Sequence, residues 1–323
     1  MSRYVERAEN VARFIDVNLK LNLDSPEGLG QQWLPLVNIT GDDAKFAARY
    51  SEATERNVIQ FLTFDRENPN SILSCLRAAR ENARTVREII SSEMWLQLNE
   101  FYLAVKTAAE NSANIKLPLD FFNRIKRESH LFAGVTDATM THNEAWHFCR
   151  LGRKLERADK TSRILDVKYF LLLRSAADVG SPFDEVQWAA VLRSASAYEM
   201  YRKSHGAIAP KSIVEFLILS TEFPRAIRFC LNSALDSLRA ISADQTDNPG
   251  KNSPVKLLGK LCSDLEYASV DEIINGGLHD YLDKLQNRMN QVGVGVNERF
   301  FARQMPVKVD SRRKNKRPSF SGQ

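Results

Sequence analysis

The chain has 323 residues, 43% of them hydrophobic and 26% charged, with four cysteines and a net charge of +5. That is the composition of a globular protein with a large core. No run approaches the roughly 18 apolar residues that a membrane-spanning helix needs, and the charged start MSRYVERAEN lacks the apolar core of a secretory signal, so the expectation is a cytoplasmic protein with no membrane contact.

The first helix is expected from Ser2 to Leu23. Its stretch RYVERAENVARFIDV, Arg3 to Val17, is written again as RKLERADKTSRILDV, Arg153 to Val167, with seven of fifteen positions identical. Such self-similarity signals an internal repeat. At the helical period Glu6, Glu9, Arg13 and Asp16 fall in one sector, and Val5, Ala8, Val11, Ala12 and Ile15 lie on the other side. An exposed i,i+4 ion pair such as Glu9–Arg13 is worth only about 0.2–0.5 kcal/mol, a weak reason to write it twice.

Next come QQWLPLV around Trp33, helical stretches from Asp42 to Tyr50 and from Ala53 to Phe64, and the turn DRENPN. Ser71 is placed to cap a long helix, SILSCLRAARENARTVREII. Further helices are expected from Ser91 or Ser92 to Asn111, from Leu119 to Ala133 and from His142 to Arg174, the last carrying the second ERA motif. Trp188 follows in VQWAAVL, then SIVEFLILSTEFPRAIRFCLNSALDSLRAI read as helix kinked at Pro224. After the polar linker SADQTDNPGKNSP, a helix is expected from Val255 to Tyr267. One or two more cover Val270 to Val292, with a break at Gly276 and Gly277.

No stretch alternates with the period of a strand, so the fold class is all-α. The reading is a multi-helix bundle of two duplicated, pseudo-symmetric halves. Residues 1–305 form one domain, with repeat copies over about 1–135 and 142–300, and 306–323 form a disordered basic tail. Within that tail Lys308, Arg312, Arg313, Lys314, Lys316 and Arg317 outweigh Asp310 by the chain's entire net charge, leaving the body neutral. No aromatic is interleaved with these charges, so nucleic acid is the weaker reading of the tail and solubility the stronger.

Cys75, Cys149, Cys230 and Cys262 are far apart in apolar helical surroundings and read as reduced thiols. No metal site and no cofactor are expected. The histidines of HNEAWH, His142 and His147, are five apart rather than the four that would place them on one helix face, and Gly293 and Gly295 lack the context of a phosphate loop.

Aligning Ser71–Arg87 with Ser212–Arg228 pairs Glu81, Arg84 and Arg87 with Glu222, Arg225 and Arg228. With Glu6, Arg7, Glu9, Arg13 and their duplicates Glu156, Arg157, Asp159 and Arg163, these form the candidate binding cluster. Three readings follow: a buried structural network, a polar cavity in which arginines grip carboxylates or phosphates, or acid/base catalysis by a glutamate of shifted pKa.

RYVERAENVAR, NPNSILSCLRAARENARTVRE, GVTDATM with LGRKLERADKTSRILDV, and FPRAIRFC together resemble the bacterial alpha-E domain family, from Arg3 to about Phe300. The resemblance implies an all-helical domain and a tryptophan-bearing lead-in before the first ERA motif, as Trp146 precedes Glu156. It implies as partners a circularly permuted ATP-grasp protein, a transglutaminase-like peptidase or a proteasome-like peptidase, and with them a peptide ligand; it carries no catalytic residue. The functional expectation is a non-catalytic helical partner or peptide-binding module of a peptide ligation and processing system linked to ATP-grasp chemistry. The alternatives are an enzyme acting on peptide amide or carboxylate groups through the Glu/Arg dyads, and nucleic-acid contact through the basic tail.

Overall fold

The opening stretch is helical because its apolar positions recur at three- and four-residue steps with no Gly or Pro before Pro26. In the computed structural model, which describes residues 1–24, 33–110, 119–167, 182–242 and 253–302, it forms helix α1 (Ser2–Asp24). Trp33 leads into α2 (Leu34–Thr40) and α3 (Asp43–Ala47). Thr54 and Ser71 cap α4 (Glu55–Thr63) and α5 (Ile72–Thr85) by accepting backbone N–H groups of Asn57 and Ser74. Then come α6 (Ser92–Glu110), α7 (Leu119–Thr139), α8 (Glu144–Val167), α9 (Pro182–Ser194) and α10 (Tyr198–His205). The last helices are α11 (Pro210–Leu219), α12 (Ile227–Ser242), α13 (Pro254–Glu266), α14 (Val270–Asn275) and α15 (Leu278–Phe300). Among the described residues there is no strand, and the fold is all-α.

The buried apolar side chains join into one core running from Val5 to Val292. Its two central rods are α1 and α8, which pack on each other. Around α1 lie α5, α7 and α9; around α8 lie α12, α15 and α2. Thus α2, preceded by Trp33, packs more extensively on α8 than on α1, and α9, which carries Trp188, more extensively on α1 than on α8. The tryptophans, Trp33 and Trp188, are both buried.

Contacts 155 residues apart match closely. Asn68 O accepts the Ser71 N–H at 3.1 Å, and Phe223 O accepts the Ala226 N–H at 2.9 Å. Cys75 and Cys230, both fully buried, point their thiols at the carbonyls of Pro69 and Pro224. Gly41 after α2 and Ser196 after α9 both take positive φ, 73° and 52°.

Three expectations change. The helix expected through Pro224 is two helices, because Pro224 has no N–H to continue α11 and the Ser220 hydroxyl accepts the N–H groups of Glu222 and Phe223 in a turn. Glu222 therefore sits exposed in a loop rather than on a buried helix. Ser212 lies inside α11 rather than at a helix start as Ser71 does, and the matching Cys75 and Cys230 contacts relate α5 to α12 at an offset of 155 and not 141. Finally, α5 ends at Thr85, and Val86–Ile89 is a turn. The break at Gly276 and Gly277 separates α14 from α15, whereas Gly293 and Gly295 lie inside α15. The stretch expected to extend α8 to Arg174, most of the polar linker and the basic tail lie outside the described residues.

Candidate functional site

Two dipeptides, Glu6–Arg7 on α1 and Glu156–Arg157 on α8, are exchanged across the helix pair. Arg157 donates Nε–H to Glu6 Oε1 at 2.7 Å and Nη2–H to Oε2 at 2.9 Å. Arg7 donates Nε–H to Glu156 Oε1 at 2.7 Å and Nη2–H to Oε2 at 2.9 Å. Both clamps are the bidentate fork that guanidinium and carboxylate planes allow. The two carboxylates are 3% and 1% exposed, so each pair is desolvated and must be closed to be tolerated.

Each carboxylate also has further cations. Glu156 takes Arg3 Nε at 3.2 Å and lies 3.8 Å from Lys160 Nζ; Glu6 takes Arg225 Nη1 at 3.4 Å. The flanking amides complete the set: Arg7 donates to Asn70 Oδ1 at 2.8 Å, and Arg225 to Asn10 Oδ1 at 3.3 Å. Lys160 stands 150 residues on from Asn10, and Arg225 stands 155 on from Asn70. Cation and amide have thus changed places, while Arg3 gives Glu156 a third cation that Glu6 lacks. Asn70 Nδ2 goes on to both oxygens of buried Asp42, at 3.0 and 2.9 Å.

A second tier lies one turn further along. Glu9, fully buried, is held by Arg13 and by Arg225 Nη2 at 3.0 Å. Asp159 is held by Arg163 at 3.0 Å and Lys160 at 3.2 Å. Arg13 also donates to Ser196 Oγ, and the Arg163 guanidinium lies against Gly41, so both left-handed residues meet an ERA-helix arginine. Beyond these, Asp16 takes Lys126 of α7 at 2.6 Å, and Asp166 takes His279 of α15 at 2.6 Å.

Electrostatics follow from the pairing. Burial pushes the carboxyls of Glu6, Glu9 and Glu156 up, but the surrounding cations outweigh it: Arg225 and Arg13 hold Glu9 at about 2, and Lys160 and Arg7 hold Glu156 at about 2. Glu6 is lowered in the same way by Arg157 and Arg225. His279 moves up, through its hydrogen bond to Asp166. Its imidazole should titrate above 6.5 in a nitrogen-15 NMR titration and move down in Asp166→Asn. A raised histidine pKa contributes stability at low pH that is lost as pH rises through it.

Of the candidate residues, Glu6, Arg7, Glu9, Arg13, Glu156, Arg157, Asp159, Arg163 and Arg225 come together. Glu81, Arg84, Arg87, Glu222 and Arg228 do not. Glu81 and Arg84 form an outward-facing pair on α5, and Arg87 lies 4.7 Å from the Trp95 ring. Arg228 is half-buried on α12 and forms no ion pair among the described residues. Arg3, Asn10, Asp42, Asn70 and Lys160 belong to the network and were not among the candidates. Laying NPNSILSCL on FPRAIRFCL at the tryptophan offset of 155 aligns Asn70 with Arg225 and would have found that pair. Among the described residues no group of three His, Cys, Asp or Glu is placed to hold a metal ion, and no helix is long and apolar enough to cross a membrane.

Fold and network together define an all-helical domain organised on a reciprocal Glu–Arg exchange. The chain belongs to the Alpha-E family, described as a predicted alpha-helical domain with a conserved ER motif, whose model matches residues 1–301. Of the four Glu-Arg dipeptides in the chain, Glu6–Arg7 and Glu156–Arg157 are the two joined in this exchange. An uncharacterized protein of Mycobacterium bovis is 22% identical over 291 residues, covering 84% of this chain and 32% of that protein. Uncharacterized proteins of two Mycobacterium tuberculosis strains match over the same shares, at 22% and 21% identity. The chain thus spans about a third of the length of these relatives. No solved structure matches it.

Proposed function

We propose that the protein is a non-catalytic helical partner, with a peptide-binding role, in a bacterial peptide ligation and processing system linked to ATP-grasp chemistry. The observation that carries the non-catalytic part is the closure of the ER network. Glu6 and Glu156 are desolvated and clamped on both oxygens and Glu9 on one, and a carboxyl held at about 2 is a poor general acid or base near neutral pH. The partner part is supported by the relatives, in which the matching region is one third of a longer chain. A domain carried beside other domains in one polypeptide can serve as a separate subunit in another. The expected partners are a circularly permuted ATP-grasp protein, a transglutaminase-like peptidase or a proteasome-like peptidase.

Co-purification tests this reading. The full chain, co-expressed with a circularly permuted ATP-grasp protein, a transglutaminase-like peptidase or a proteasome-like peptidase of the same organism, should elute with one of them as a stoichiometric complex on size exclusion. Separate elution of the chain from each of the three would overturn it.

A further inference from the structure

Beside the ER network a small cavity opens between α1, α7 and α8, its walls including Glu6, Phe132, Trp146, Arg150, Arg153 and Arg157. Glu6 is the lining's only carboxylate, and it is already engaged by Arg157 and Arg225. Two arginines are left over. Arg153 stands 150 residues on from Arg3, which grips Glu156 at 3.2 Å, yet Arg153 makes no hydrogen bond or ion pair with any described residue. Arg150 gives one long bond, 3.4 Å, to the Ser237 hydroxyl and lies 5.6 Å from the Trp146 ring.

The cavity is therefore cationic: its one carboxylate, Glu6, is taken by other arginines, and Asp137 attracts Arg153 without forming an ion pair with it. The field extends to Lys154, whose pKa is brought down to about 8, first by burial and then by Arg157, Arg153 and Arg150, with Cys230 opposing. Partly desolvated guanidinium groups without an acceptor are costly, and an anion that supplies two oxygens relieves two of them at once. Size selects among anions. The inner volume is about 20 Å³, room for one water-sized group. One oxygen of a carboxylate fills that space and leaves its second oxygen and one carbon at the mouth, whereas a phosphate leaves three oxygens there. Val5 and Phe132 offer apolar surface to the carbon next to the carboxylate.

We propose that this cavity binds a carboxylate, held by Arg153 and Arg150, from either a peptide C-terminus or a small free acid. The site deepens the peptide-binding role above and rests on it. Carboxylate binding without co-purification would remove only the partner reading, and co-purification without carboxylate binding would remove only this site.

Four probes test it on the full chain, read by Trp146 fluorescence and by calorimetry: acetate, N-acetylglycylglycine, its C-terminal amide and inorganic phosphate. Acetate and the peptide acid should saturate with millimolar dissociation constants, and the amide should not bind. Peptide acid at least about tenfold tighter than acetate assigns a peptide terminus; equal affinity assigns a free acid. Arg153→Ala should weaken binding by about tenfold or more with an unchanged unfolding midpoint, since Arg153 bonds to nothing described. Arg153→Lys should recover part of the affinity, and Arg150→Gln provides a second, independent loss. Trp146→Phe should remove the optical signal and keep the calorimetric one. Amide binding equal to that of the acid, affinity insensitive to both arginines, phosphate binding tighter than the carboxylates, or no saturation by about 100 mM acetate would each overturn the proposal.

Discussion

Arg157→Ala is expected to lower the unfolding free energy by about 3–5 kcal/mol, because it leaves the Glu6 carboxylate buried with Arg225 at 3.4 Å as its one cation and the Asn10 amide at 3.3 Å. Urea unfolding followed by circular dichroism measures this. The exposed pair Glu81–Arg84 supplies the contrast, with a loss within about 1 kcal/mol for Arg84→Ala. Removing Glu6 together with Arg157 should cost less than the two single losses added, by a coupling energy of roughly 2 kcal/mol, since the pair is in direct bidentate contact. A single-variant loss below about 1 kcal/mol would mean that the ER exchange contributes no more than a surface pair.

Acid should unfold the protein through the same residues. Glu9 and Glu156 titrate from an ordinary 4.5 down to about 2 on folding, so each contributes stability that is complete above about 4.5 and disappears as pH falls toward 2. For a shift of this size the contribution is roughly 3 kcal/mol per group, and Glu6 acts in the same direction. Urea midpoints should change little between pH 7 and 5, where the shifted histidines titrate, and then fall steeply to pH 3. Glu9→Gln should be less stable at pH 7 and have a shallower acid limb. An equally flat midpoint down to pH 3 would show that the carboxylates are not ionised partners in the folded state.

Much of the architecture was legible along the chain. The three- and four-residue spacing of Val5, Ala8, Val11, Ala12 and Ile15 marks α1, Ser71 marks the start of α5, and Gly276 with Gly277 marks the break between α14 and α15. What misled was the use of local apolar character beyond a stop signal. IVEFLIL suggested a helix continuing through Glu222, but Pro224 and the Ser220 turn end it, and Glu222 moves to solvent while Arg225 moves to the core. The same loop explains why E-x-x-R spacing at Glu81 and Glu222 has no common fate. One copy rides on the outside of α5, and the other straddles a turn.

The amino-acid order alone determined that the protein is helical and that an ER dipeptide occurs twice at equivalent helical positions, because both follow from interactions within a few residues of chain. It also showed which sector of α1 is charged. Only the tertiary structure decided that this sector is buried, that Glu6 belongs to Arg157 and Arg7 to Glu156, and that Arg153 is left facing a cavity. Partners 150 residues apart are chosen by how two rods are set against each other, and periodicity within either rod carries no information about that setting.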